Sequence, residues 1–256
     1  MVKKILSILA WMVTGAALVV LFIFARKDYL DTPIHSYNIK VDRASNQGFV
    51  KEEAVVEDLS NLCAMATIGS ANMVSINKQL KSNPWIESSS SYIDLNANLN
   101  VNIKEYQPVL RVFGNKGTSA YVTAEKTVLP TSVGYTPHVL IASGNFDLDS
   151  ELLNRQLSDT LKADWNILNA LHILKAIQRN EFMGSCIGQI YCNGRNEFEI
   201  VARDIDAKIL VGDTCNIDDK LKRLEIFIKQ KTNSLEIKGY KTIDLKYKNQ
   251  IVCTKR

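Results

Sequence analysis

The sequence predicts an α+β fold, in which a single N-terminal transmembrane helix precedes a small α+β domain and a mixed β-sheet domain with packed helices. Three observations support this prediction. The segment from Ile5 to Phe24 contains no charged residue. The next part of the chain has the pattern strand, helix, helix, strand, strand, which is typical of a small α+β domain. The remainder contains more strand patterns, interrupted by two helical ones.

The apolar segment Ile5 to Phe24 has the length of a membrane-spanning helix, because about 20 residues at about 1.5 Å each cover the hydrocarbon core of a bilayer. Lys3 and Lys4 precede it and Arg26 and Lys27 follow it, which weakly favours a cytoplasmic N-terminus. The alternative is a cleaved signal peptide. The apolar run is longer than a usual signal core and ends without a small-x-small cleavage site, so the pattern favours an uncleaved anchor.

The charge of the chain argues against a nucleic-acid-binding protein. The formal net charge is +4, and the four basic residues that flank the apolar segment account for it. The rest of the chain is therefore neutral. The five cysteines form no CxxC pair and no zinc-like spacing, and we base no function on them.

The first domain is predicted from short periodic segments. Tyr37 to Val41 alternates as a strand does, and Phe49 to Leu62 and Ile76 to Leu80 have helical spacing. The second helix must end near Pro84, because proline disfavours helical geometry in the residue before it. Tyr92 to Arg111 is rich in strand formers. Its apolar residues at odd positions share one predicted face: Ile93, Leu95, Leu99, Val101 and Ile103.

The second domain is predicted to contain several strands and two helices. The helices are Asp164 to Arg179 and Asp218 to Lys231, each with an apolar stripe. The chain then ends in one predicted strand, Thr242 to Cys253, and terminal strands are often edges. The other predicted strands are Tyr121 to Val122, Val139 to Ile141, Gly188 to Cys192, Phe198 to Arg203 and Lys208 to Val211.

No enzyme site can be assembled from the sequence. The three histidines, His35, His138 and His172, stand apart from one another and from any metal-binding motif. Ser75-Ile76-Asn77-Lys78 matches the SxxK pattern of penicillin-binding proteins, but no Lys-Thr-Gly or Lys-Ser-Gly follows it. We therefore expect no catalytic residues, no metal and no cofactor.

Several motifs occur in an informative order behind the apolar segment. Asn83-Pro84-Trp85-Ile86 precedes the predicted hairpin, and Glu105 stands three residues before Pro108. Near the end of the chain is Tyr240-Lys241-Thr242-Ile243-Asp244-Leu245-Lys246-Tyr247. Together these motifs resemble those of the FtsQ/DivIB family of bacterial cell-division proteins. The likeness departs at Tyr121 to Leu129, where Thr123-Ala124-Glu125-Lys126 stands in place of the Asp-x-x-Gly turn that is usual in the family.

The resemblance implies a domain organisation and a location. Residues 1–4 would be a cytoplasmic tail, 5–24 the transmembrane helix and 25–33 a linker. Residues 34–107 would form a POTRA-like domain, and 108–256 an FtsQ-type β domain. The protein would be a single-pass type II protein of the inner (cytoplasmic) membrane with its bulk in the periplasm, enriched at the division septum.

The resemblance also implies a function: a non-enzymatic divisome scaffold. It would bind the coiled-coil proteins FtsB/DivIC and FtsL and other divisome proteins, partly by strand addition at its C-terminal edge strand, and so regulate septal peptidoglycan synthesis. The partner-binding residues would be Tyr247, Lys248, Asn249, Arg195 and Glu197. For Tyr247 a core-facing position is an equal alternative, because it shares a predicted face with Ile243. For Trp85 a place in the core is favoured over partner contact.

Two other functions stay open at the level of sequence. One is a membrane-anchored cell-wall enzyme, which would need a nucleophile and a base that the isolated histidines do not provide. The other is a POTRA-type envelope assembly or transport protein, which would be expected to contain repeated POTRA units or a barrel, whereas one such unit is visible.

Overall fold

The computed structural model describes residues 2–43, 47–63, 65–232 and 236–256. Its helices and sheets give an α+β fold, as predicted. The chain forms two compact units, Met1–Tyr106 and Gln107–Arg256. Each unit contains one β-sheet with helices packed against it.

The N-terminal helix α1 spans Val2–Leu30 and includes the apolar segment. Within the described residues, no helix combines the length and the apolar character that a membrane crossing requires. The prediction of a transmembrane helix from Ile5 to Phe24 is therefore wrong.

The limits predicted for the tail and the linker differ from the limits of α1. The predicted tail, residues 1–4, belongs to α1 from Val2 onward, and Met1 lies outside the described residues. Most of the predicted linker, residues 25–33, is also helical. The domain limits 34–107 and 108–256 stay predictions, as do the POTRA-like and FtsQ-type assignments.

After α1, the described residues of the first unit form a three-stranded sheet and two further helices. In the order β1-β3-β2, the central strand is parallel to β1 and antiparallel to β2. The elements are β1 Ser36–Asp42, α2 Glu52–Leu62, α3 Met73–Leu80, β2 Ile86–Ile93 and β3 Asn98–Glu105. The predicted strand and helices lie within or close to these bounds, although α2 begins three residues later than the pattern suggests.

The core of this sheet follows the predicted alternation along β3. Leu99, Val101 and Ile103 are all buried, and burial of such side chains stabilises the unit by about 1.5–3 kcal/mol each. Leu95 was expected on the same face, but it is exposed. The reason is the turn that Asp94 makes by accepting hydrogen bonds from the main-chain N–H groups of Asn96 and Asn98.

The proline-tryptophan motif has a structural role in this unit. Trp85 is buried, and its ring stacks on Phe49 with the centroids 3.5 Å apart. Its predicted place in the core is confirmed. Nearby, the buried Glu105 accepts hydrogen bonds from the N–H groups of Phe49 at 2.9 Å and Val50 at 3.1 Å. These contacts fix the chain that leads into α2.

In the described part of the second unit, nine strands form a mixed sheet that is accompanied by three α-helices. Its strands follow the order β12-β11-β10-β9-β8-β7-β4-β5-β6. The strands are β4 Pro108–Phe113, β5 Ser119–Thr123, β6 Val128–Leu129, β7 Leu140–Gly144, β8 Ile187–Cys192, β9 Phe198–Ala202, β10 Lys208–Gly212, β11 Tyr240–Asp244 and β12 Val252–Lys255. The helices are α4 Trp165–Gln178, α5 Glu181–Cys186 and α6 Ile217–Thr232.

One apolar core lies between this sheet and its helices. Ile173 of α4 and Leu224 of α6 are fully buried in it, together with Ile190 and Ile209 of the central strands. The apolar stripes predicted for the two longer helices are therefore the faces that pack on the sheet. The short helix α5 was not predicted.

The end of the chain differs from the prediction. Thr242 to Cys253 is not one strand but two, β11 and β12, which pair antiparallel. The chain reverses in the segment between them, where Asp244 accepts a hydrogen bond from the N–H of Lys246 and Asn249 has a φ of 59°. Asparagine tolerates this left-handed conformation better than most residues, so the reversal has a local cause.

Candidate functional site

The outer strand β12 leaves one side of the second sheet open. It pairs with β11 through Thr242 and Thr254, Ile243 and Cys253, and Asp244 and Val252. Among the described strands, none pairs with its other side. An edge strand presents main-chain donors and acceptors that can pair with another chain.

The opposite edge of the sheet is covered. Val128 of β6 donates from its N–H to the carbonyl of Arg155 at 3.0 Å, and its own carbonyl accepts from the N–H of Asn154 at 2.7 Å. A bridge between Thr127 and Gln156 continues this contact. The two edges therefore differ, and β12 is the one available for strand addition.

A loop of residues 245–251, which we call the edge loop, connects β11 to β12. Leu245 begins it as a fully buried residue whose N–H donates to the carbonyl of Leu210 at 2.9 Å. Ile251 ends it, packed against the same core. Between these two anchors the side chains of residues 246–250 are exposed.

Tyr247 is the third residue of the edge loop, and half of its surface (50%) is exposed. Its hydroxyl makes no hydrogen bond within the part of the chain that the structure describes. The core-facing alternative for this residue is therefore wrong. Tyr247 lies beside the edge strand rather than in it, and the exposed Val252 begins that strand.

Arg223 of α6 holds the main chain of the edge loop. Its Nη1 donates to the carbonyls of Tyr247 at 2.9 Å and Gln250 at 2.6 Å, and its Nη2 lies 3.4 Å from the carbonyl of Leu245. Its Nε donates to Asp219, one turn earlier on the helix, at 3.0 Å. Four contacts thus orient one guanidinium whose side chain is mostly buried.

A second group of side chains lies at the same end of the sheet. The turn between β8 and β9 contains Arg195 and Glu197, and Asn193 accepts hydrogen bonds from both of their N–H groups. The Glu197 carboxylate lies 3.9 Å from the ammonium of Lys246 in the edge loop. This turn and the edge loop therefore form one continuous surface.

Comparison with known families identifies the second unit. A family described as FtsQ/DivIB, C-terminal related, matches residues 107–254, which is more than half of the chain. The chain belongs to the FtsQ/DivIB family. A search of curated proteins found no match. FtsQ/DivIB proteins are non-enzymatic division scaffolds, and membership indicates a role in cell division together with other division proteins.

The FtsQ/DivIB match includes all of the residues that the sequence singled out for partner binding. Tyr247, Lys248 and Asn249 are exposed neighbours in the edge loop. Glu197 is connected to that loop through Lys246, whereas the Arg195 side chain is exposed and makes no hydrogen bond or ion pair with another described residue. Their role in binding stays a prediction. The structure places Tyr247, Lys248 and Asn249 in one loop, next to the Lys246 that lies 3.9 Å from Glu197.

Two residues of this FtsQ/DivIB surface were missed by the sequence reasoning. Lys246 pairs with Glu197 and with Asp244, each at 3.9 Å. Its stem also covers Gly212, where an added Cβ would lie 2.7 Å from Lys246 Cγ. Arg223 was missed because its loop contacts lie 22 to 27 residues away in sequence, and all of them are made to main-chain carbonyls. The one available signal is the Asp219–Arg223 spacing of four residues, which is typical of a helical ion pair.

A buried lysine fixes the start of α6 in this FtsQ/DivIB domain. The Lys220 ammonium donates to the carbonyls of Val211 at 3.0 Å and Asp213 at 2.9 Å, and to the Asp213 carboxylate at 2.7 Å. The hydrogen bond from Lys220 lowers the pKa of the Asp213 carboxyl. Because Arg223 follows Lys220 by one helical turn, this anchor also sets the position of Arg223.

The residues considered for enzymatic chemistry do not converge. Ser75 and Lys78 are exposed on α3. His138 and Arg203 line a cavity of about 410 Å³, and the residues around that cavity include no serine, cysteine or carboxylate. Within the described ranges, no group of three or more His, Cys, Asp or Glu residues is arranged to hold a metal ion. The absence of catalysis, metal and cofactor stays a prediction.

Proposed function

We propose that this protein is a non-enzymatic scaffold of the cell-division machinery that binds coiled-coil division proteins through its second unit. The partners proposed are the FtsB/DivIC-like and FtsL-like proteins. The observation that carries the proposal is the open edge of β12 beside an ordered loop that exposes Tyr247. Family membership supports the general role in division.

Strand addition accounts for the affinity of such a contact. An extended partner segment can pair with the open side of β12 through main-chain hydrogen bonds, and side chains beside the edge then provide selectivity. Tyr247 supplies a large amphipathic ring, the kind of residue that often dominates binding energy. The exposed Val252 adds apolar surface at the start of the same strand.

Charges around the ring would favour some partners over others. Lys248 and Arg195 are exposed cations, and Glu197 supplies a carboxylate next to Lys246. Exposed pairs of this kind contribute little to affinity, but they affect association rates and partner choice. A partner segment with acidic residues on one side of its strand would suit this surface.

In the cell, we propose that this binding takes place on the extracytoplasmic side of the division septum. There the complex would regulate septal peptidoglycan synthesis by holding the coiled-coil partners in place. Fluorescence imaging of the tagged protein in dividing cells tests the location. Midcell enrichment is expected, and a uniform signal would exclude this part of the proposal.

A matched pair of tyrosine variants tests the binding surface. Tyr247→Ala removes the proposed anchor, whereas Tyr92→Ala removes a tyrosine of similar exposure on β2 in the other unit. Binding of the extracytoplasmic segment of the FtsB/DivIC-like protein from the same genome should fall at least about tenfold for Tyr247→Ala, or about 1.4 kcal/mol. It should stay unchanged for Tyr92→Ala. Equal binding by both variants and the parent protein would contradict the proposal.

A further inference from the structure

The main chain of the edge loop is held by Arg223 of α6. The ring of Tyr247 is exposed. The main chain of Tyr247 is fixed, because its carbonyl accepts a hydrogen bond from Arg223 at 2.9 Å. The same guanidinium nitrogen reaches Gln250 at 2.6 Å. The two contacts tie both halves of the loop to α6.

Arginine suits this task in a way that lysine does not. A guanidinium has five N–H donors in a planar fork, whereas an ammonium has three donors at one point. Here the fork reaches Leu245 and Gln250 while its Nε stays on Asp219. The Asp219 contact fixes the plane of the fork, so the helix sets the geometry of the loop.

We infer that Arg223 is a positioning residue for partner binding, which acts by holding Tyr247 in its outward-facing position before the partner arrives. The inference rests on the proposed function. Ordering a residue costs backbone conformational entropy. A loop that is already ordered does not impose this cost on binding, and preorganisation of this kind raises affinity.

Arg223→Lys tests the inference because it keeps the charge and loses the fork. Partner binding, measured with the same FtsB/DivIC-like segment and the full chain, should weaken about tenfold if about one residue's ordering cost is transferred to the binding step. Asp219→Ala should have a smaller effect, about twofold to threefold, because it removes the acceptor of the Nε hydrogen bond without touching the loop. Lys222→Ala, which removes an exposed cation beside Arg223, is the matched control and should leave binding unchanged.

A double-mutant comparison separates positioning from general stability. In the Tyr247→Ala background the Arg223 fork still meets the same main-chain carbonyl, so the domain should retain its fold. If Arg223 acts through the Tyr247 ring, Arg223→Lys should cause no further loss of binding in that background. Additive losses would overturn the inference.

Hydrogen exchange provides a readout without a partner. Deuterium uptake of residues 245–251 should become faster in Arg223→Lys, while uptake in the central strands β8 and β9 stays unchanged. Unchanged uptake in the edge loop would overturn the inference.

The outcomes also separate this inference from the proposed function. If Tyr247→Ala weakens binding and Arg223→Lys does not, the inference fails and the proposed function stands. If Tyr247→Ala itself leaves binding unchanged, the proposed function fails at this loop, and the positioning role fails with it.

Discussion

The ammonium of Lys220 lies 2.7 Å from the carboxylate of Asp213, at the corner where β10 leads into α6. The lysine side chain is buried, whereas the aspartate is mostly exposed. The same ammonium also satisfies the carbonyls of Val211 and Asp213. This corner fixes the start of the helix from which Arg223 reaches the edge loop.

Lys220→Met should destabilise the second unit. The methionine retains an apolar stem but leaves the buried Val211 carbonyl without its donor, which costs about 1–3 kcal/mol. The urea dependence of circular dichroism measures the change. Lys222→Met, at an exposed neighbouring position, should change the free energy of unfolding by no more than about 0.5 kcal/mol. Equal stability of the two variants would show that Lys220 does not hold the corner.

Asp213 should give the protein a small acid-sensitive contribution to stability. Its pKa is lowered in the folded state, chiefly by the hydrogen bond from Lys220. The contribution is therefore complete above the unfolded pKa of about 3.9 and is lost as the pH falls through the lower, folded value. Asp213→Asn should lose less stability than the parent between pH 6 and about pH 3. Parallel pH profiles would contradict this assignment.

Glu105 should be important for the first unit. Its buried carboxylate accepts two main-chain N–H groups, those of Phe49 and Val50. Glu105→Gln replaces one accepting oxygen by a donor that would face an N–H, so a loss of about 1.5–3 kcal/mol is expected. Glu87→Gln on β2, where the carboxylate pairs with the exposed Lys104, is the control. If the melting temperatures of both variants equal that of the parent protein, Glu105 does not stabilise the first unit.

The cysteines should differ in reactivity. Burial raises the pKa of the Cys192 thiol to about 11, whereas Cys215 is exposed near the start of α6. Because the thiolate is the reactive form, maleimide at pH 8 should label Cys215 first and Cys192 only after unfolding. Mass spectrometry of labelled peptides, with Cys215→Ser to assign the fast phase, measures the order. Similar labelling rates in the native protein would contradict the buried environment of Cys192.

Part of this fold could be predicted from local patterns. The alternation of Leu99, Val101 and Ile103 predicted a buried strand face, because side chains on a strand alternate between its two sides. The same rule failed between Thr242 and Cys253, where alternating apolar residues continue through a chain reversal. That reversal depends on a hydrogen bond to the Asp244 side chain and on the left-handed conformation of Asn249. The alternation of apolar residues contains no information on either.

The candidate site was predicted only in part, because its organisation depends on contacts between distant residues. The tyrosine and its neighbours were named from family resemblance, and the structure shows them exposed in one loop. Arg223 contacts that loop through main-chain carbonyls, which no side-chain pattern reveals. The apolar N-terminal segment was predicted to cross a membrane from its composition, and this prediction was wrong.

The central claim is that a partner segment adds to the open side of β12. Deuterium uptake of residues 252–255, measured in the full chain with and without the FtsB/DivIC-like segment, tests it most directly. Strand addition predicts slower uptake in β12 when the partner is bound, with no change at the covered edge strand β6, because outward N–H groups gain hydrogen-bond acceptors. Slower uptake elsewhere in the second unit, with β12 unchanged, would contradict the account.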